Sequence, residues 1–190
     1  MAQTKTQTVA QRKRFLWDEI NALVSGFTSF SAEIKQAKKQ FEDFLIDAYL
    51  EGFASALYFL DAEGEADRSE ADDAVNKYYD GESIWEKFEA YYAAEDAESL
   101  TRLVESEFHR VNERGGYDAA KKYGSKAVKK RWSAILDSKT RMTHGILDGT
   151  EVGLNERFFS ISGDSALYPG DFLTAEENAN CRCMIEYFTE

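Results

Sequence analysis

The sequence predicts an α+β fold: a helical N-terminal half, then a compact C-terminal domain of short antiparallel strands and turns. Three observations carry this expectation. Residues 31–60, SAEIKQAKKQFEDFLIDAYLEGFASALYFL, place Ile34, Ala37, Phe41, Leu45, Ala48, Gly52, Ala56 and Phe59 on one helical stripe. Residues 127–136, AVKKRWSAIL, alternate and include β-branched positions, the pattern of a strand. Five of the twelve glycines fall between residues 145 and 170, beside the only proline, Pro169, so turns and short strands should dominate there.

Taken in order, AQRKRFLWDEINALV forms a first helix with Phe15, Ile20 and Leu23 inward, stopping near Gly26. The long stripe from residue 31 to 60 is the second. The acidic run after Leu60 reads as a loop or frayed connector. Ser83 and Glu86 have the spacing of a capping box, each able to satisfy the other's free backbone donor, and open a helix carrying Ile84, Phe88 and Tyr91. A further helix runs from about Ala97 to Arg114, and the Gly115–Gly116 pair is expected to end or break it. CMIEYF near the C-terminus reads as a final strand. The expected organisation is a helical arm over residues 1–98 and an α+β domain over 99–190.

Composition narrows the function classes. The 190 residues have a hydrophobic fraction of 43% and can supply a core. No stretch approaches the roughly 20 apolar residues of a membrane span. The basic N-terminus lacks the apolar region of a secretory signal, so the protein is expected in the cytoplasm where it is made, or in an assembly built there. The net charge is -12, which argues against general coating of DNA. Residues 61–82 alone carry nine acids against Arg68 and Lys77. Residues 121–131 carry Lys121, Lys122, Lys126, Lys129, Lys130 and Arg131 with no acid, a candidate local contact with phosphate or an acidic partner, or simply a solvated face.

Two constellations could carry chemistry. Glu107 lies on the same helical side as Leu100, Val104 and Val111, so it should be paired, protonated or at a site. Asp137 is placed to cap a short helix on which Arg141 and His144, three apart, share a face. The trio could act as a general acid/base with an electrostatic partner. It could equally be structural, Arg141 pairing with a carboxylate such as Glu107 and His144 bonding backbone. There is no Gly-rich phosphate loop, GxSxG, HExxH or EF-hand pattern.

Cys181 and Cys183, in NANCRC, are the two cysteines of the chain. On an extended strand they share a face with Cα atoms about 6.5 Å apart, near the upper limit of disulfide geometry. A reducing compartment disfavours the bond further, and a redox pair of the thioredoxin type has two intervening residues. Two readings remain: small buried hydrophobes with Arg182 on the other face, or a zinc set of Cys181, Cys183 and His144, one ligand short of the usual four.

The order of motifs resembles the C-terminal domain of the phage head-morphogenesis family, the Mu F-like minor head proteins, over roughly residues 100–186. The matching residues are Glu107 and Asn112; Trp132 then Asp137; Arg141, His144, Asp148 and Gly149; Phe158; Pro169, Gly170 and Asp171; and Asn180, Cys181, Arg182 and Cys183. The resemblance implies a minor capsid protein inside the head, associated with the portal during assembly and influencing DNA packaging or ejection. No complete catalytic set is visible in the sequence, so no catalysis is expected. Some members carry Cys-x-x-Cys where this chain has Arg141 and His144, a pattern resembling a zinc knuckle closed by the final cysteines. This chain departs at Arg141. Two alternatives differ in class: a metal-assisted nuclease or hydrolase acting on phage DNA through His144 with Asp137 or Glu107, and a non-enzymatic head–tail connector adaptor.

Overall fold

In the computed structural model the described residues are 20–79, 81–124 and 127–189. The helical part comprises α1 (residues 20–27), α2 (Ile34–Leu60), α3 (Arg68–Val75), α4 (Ile84–Ala93) and α5 (Ala97–Tyr123). Between α3 and α4 lie two short strands, β1 (Tyr78–Tyr79) and β2 (Glu82–Ser83), paired antiparallel. The C-terminal part holds β3 (Val128–Ser133), α6 (Met142–Leu147), β4 (Glu151–Gly153), β5 (Phe158–Phe159), β6 (Ser165–Ala166), α7 (Ala175–Asn178) and β7 (Met184–Thr189). The fold is α+β, and its strands pair antiparallel in the order β4-β3-β7, with β5-β6 as a separate ladder.

The two 27-residue helices α2 and α5 form the axis of the molecule. Phe44 stacks on Phe108, Asn112 donates to the Ala48 carbonyl, Tyr49 donates to Asp118, and Phe53 meets Tyr123 edge-on. Both numbers rise together, so the helices run parallel, as the long α3–α4 connection between them permits. Ala37, Phe41, Leu45, Ala48, Gly52 and Ala56 of the expected stripe are buried, while Ile34 and Phe59 at its ends stay exposed. An aromatic cluster of Phe27, Phe41, Phe88 and Tyr92 joins α1 and α4 to the start of α2. Phe15 of the expected first helix lies outside the described residues.

Two elements differ from expectation. The acidic run is not all loop: α3 forms within it, opened by a capping box between Asp67 and Glu70, and buries Ala71, Ala74 and Val75. The helix α5 does not stop at Gly115–Gly116. Its glycines lie against α2, where Gly115 faces the Tyr49 carbonyl and Gly52 faces Asn112, so close packing there outweighs glycine's weak helix propensity. The capping box of Ser83 and Glu86 forms as its spacing predicts. The expected boundary at 98/99 falls in the first turn of α5, which packs along α2 and also touches β7 within one continuous buried core.

The basic segment does not present all its charges on one exposed face. In β3 the buried face carries Val128, Lys130 and Trp132. Lys130 points inward, donates to the Leu167 carbonyl at 2.8 Å and lies 5.2 Å from the ring centres of Tyr117 and Phe158. Lys122 pairs with Glu70, and Arg131 with Glu151 and Glu186. Lys121 is exposed, Lys129 half-buried, and Lys126 lies outside the described residues.

Burial pushes the Lys130 ammonium down to about 8 from 10.5, with Arg157 lowering it further and Asp171 and Glu156 opposing. Between those two values the unfolded chain holds a proton that the folded chain has released, so stability rises with pH across that window. Lys130→Met should abolish the rise, measured by urea unfolding at pH 7.5 to 10. An unchanged slope in the variant would show that another group sets it.

Candidate metal centre

Three elements bring the centre together. The inner face of α6 carries His144, the chain after α7 brings Cys181 and Cys183 into β7, and β3 provides Trp132 as the floor. All four side chains are buried. Trp132 meets His144 edge-on at 5.5 Å, Phe172 stacks on the other side of the imidazole at 5.4 Å, and Phe158 meets the indole at 5.2 Å. The ring therefore has little rotational freedom.

His144 Nδ1 lies 3.5 Å from the Sγ atoms of both Cys181 and Cys183. Its other nitrogen, Nε2, lies 3.0 Å from Glu177 Oε2. Glu177 is buried and accepts from Thr143 Oγ1 at 2.9 Å and Ser160 Oγ at 3.0 Å. Burial alone would raise its carboxyl, but the hydroxyls of Ser162, Thr143 and Ser160 and the imidazole outweigh it and hold Glu177 below the ordinary value. The imidazole thus stands between two acceptors, Glu177 beside Nε2 and the sulfurs beside Nδ1.

The two thiols titrate as one unit. Cys181 keeps its proton, held well up by donating to Cys183 and by burial. Cys183 is pulled down by that hydrogen bond, against the effect of burial, with help from His144 and Trp132. The Trp132 indole N–H is itself buried and lies beside the Cys183 sulfur without a close hydrogen bond.

A polar rim closes the centre. Asp137 receives Arg182 on both carboxylate oxygens, at 2.6 and 2.9 Å, which holds it well below the carboxylate range. Arg141 donates to the Ala179 carbonyl. Asp148 accepts from the Ala134 amide at 2.7 Å, and the amide of Gly149, at φ +74°, bonds the Trp132 carbonyl at 2.8 Å. Asn180 takes a left-handed φ of +53° just before the cysteines. Asp171 accepts from Leu167 and Arg157, bracing the turn at Pro169 and Gly170.

The expected trio of Asp137, Arg141 and His144 does not converge as an acid/base set. Asp137 does not cap α6; it accepts from the Lys139 amide in the preceding turn, and the cap position is Arg141. Arg141 does not pair with Glu107, whose partner is Arg110, three residues along α5. Sequence reasoning did not single out Glu177. The nearest signal was its place four residues before Cys181, which names no partner.

The family described as Phage Mu protein F like protein matches residues 67–186, more than half of the chain. The chain belongs to this family. The Mu F-like match takes in every element from the end of the α2–α3 connection to the middle of β7, and so includes His144, Glu177 and both cysteines. Two curated relatives are similar. Minor head protein GP7 of Bacillus phage SPP1 is 39% identical over 83 residues, 43% of this chain and 27% of that protein. A protein of Enterococcus faecalis named NAD(+)--arginine ADP-ribosyltransferase EFV is 41% identical over 100 residues, 53% of this chain and 20% of that protein. The Mu F-like chain thus spans about a fifth to a quarter of the relatives it matches. No solved structure matches it.

Proposed function

We propose that this chain is a minor head component of a tailed phage or prophage, built into the head at or near the portal and acting through protein contacts that bear on DNA packaging or ejection. The observation that carries this reading is the Mu F-like match across residues 67–186, together with the 39% identity to a minor head protein. The chemistry of the centre agrees with a structural role. The groups a hydrolase would need are engaged by one another: Glu107 by Arg110, Asp137 by Arg182, and His144 by Glu177 and the thiols. The C-terminal part also leaves Leu136, Met142, Ile146, Phe159, Ile161 and Leu173 exposed, surface of the kind that neighbouring proteins cover in an assembly. Among the described residues no helix is long and apolar enough to cross a membrane.

The transferase-named relative fits the same reading. The shared segment is a fifth of that protein, so we read it as a placement module to which longer chains append other domains. The test is to purify procapsids and heads from the producing cells and to pull down portal protein with the full chain. We expect the chain in both particles and retained on the portal. Absence from heads and procapsids by mass spectrometry would refute the reading, and retention only on a connector protein would move it to an adaptor.

A further inference from the structure

We propose that His144, Cys181 and Cys183 hold a zinc ion that ties β7 to α6, with Glu177 as the outer carboxylate that orients the imidazole. The three donor atoms all lie within 4.8 Å of one another. Tetrahedral zinc, with Zn–N about 2.0–2.1 Å and Zn–S about 2.3 Å, separates its nitrogen and sulfur ligands by about 3.6 Å. His144 Nδ1 stands 3.5 Å from each sulfur, so both nitrogen–sulfur separations already match what the ion requires.

The surroundings supply what a bare cluster of donors would lack. Glu177 lies 3.0 Å from His144 Nε2 while Nδ1 faces the sulfurs, the outer-carboxylate placement that orients a metal-bound histidine. The buried Trp132 N–H makes no close hydrogen bond among the described residues, and a metal-bound Cys183 thiolate would accept it. Two thiolates balance the charge of the ion, which makes its burial inexpensive. The chain provides three ligands, and the fourth position is left to water. The inference is independent of the head-protein reading, since a chain that never entered a head would still bind the ion.

The experiment uses the full chain, reduced and metal-free, titrated with Co2+ and then Zn2+. Cobalt should give thiolate-to-metal charge transfer and intense tetrahedral d–d bands, saturating at one ion per chain, and zinc should displace it. Cys181→Ser and Cys183→Ser should each weaken binding beyond the roughly 100-fold range of outer-partner substitutions. Glu177→Gln should keep the cobalt bands while weakening affinity about 10–100-fold. If the serine variants fail to fold, the wild-type spectrum and its stoichiometry still decide. A weak octahedral cobalt spectrum without charge transfer, meaning adventitious binding to surface carboxylates, would overturn the proposal. So would zinc binding in Cys181→Ser/Cys183→Ser equal to wild type.

Discussion

Gly115→Ala is expected to destabilise the protein by about 2–3 kcal/mol, although the same substitution in an ordinary helix stabilises it by about 1 kcal/mol. The sign reverses because of what the new methyl would meet. A Cβ on Gly115 would lie well under 3.0 Å from the Tyr49 carbonyl oxygen, and one on Gly52 equally close to that of Asn112. Both obstacles are backbone within long helices, so neither can swing aside, and the helices themselves must separate. That separation would disturb the Asn112 bond to Ala48 and the Tyr49 bond to Asp118. Gly52→Ala should cost a similar amount. The double variant should cost less than the sum, because the first methyl already opens the crossing that the second needs. Gly145→Ala in α6 is the control: nothing lies within 4 Å of its Cβ position, and the variant should be neutral or slightly more stable. Urea midpoints at constant m-value measure all four. A stabilised Gly115→Ala would mean that α2 and α5 do not approach as closely as described.

This crossing also shows why part of the fold was legible and part was not. Local periodicity exposed α2, β3 and β7, because each repeats its own apolar face. The Ser83–Glu86 capping box was equally visible. The continuation of α5 past Gly115 was not, since the reason for glycine there lies on another helix, more than sixty residues away. The helix α3 was hidden for a different reason. Its acidic composition masked a capping box at Asp67 and Glu70 and the inward trio of Ala71, Ala74 and Val75. Lys130 is the instructive middle case. The alternation that identified β3 already placed it on the face of Val128 and Trp132, but its charge suggested solvent, and only the Leu167 carbonyl and two aromatic rings explain its burial. At the centre, the shared face of Cys181 and Cys183 followed from strand geometry. Glu177 did not, because its role depends on His144, thirty-three residues earlier, arriving from another element.

Arg110→Met is expected to cost about 3–5 kcal/mol, the largest effect of any single charged substitution proposed for this chain, because it strips Glu107 of a buried partner. The pair sits mid-helix on α5: Arg110 Nε and Nη2 reach Glu107 Oε2 at 2.9 and 2.7 Å, and both side chains are almost fully buried. Arg110 does more than neutralise. Its Nη1 donates to the Ala74 carbonyl at 2.9 Å, holding α3 to α5, and its Cα and Cβ support the turn at Gly170, whose φ is +92°. One residue thus connects the acidic helix, the long helix and the loop that leads toward the cysteines. Replacing both charges, as Glu107→Leu/Arg110→Met, removes the buried carboxylate along with its guanidinium and should recover most of the loss. About 1–3 kcal/mol should remain, since the Ala74 carbonyl still loses its donor. The double-mutant cycle separates these contributions. A coupling near zero would show that Glu107 and Arg110 are stabilised independently, and the buried pair would then not be what joins α3 and the Gly170 turn to the helix between them.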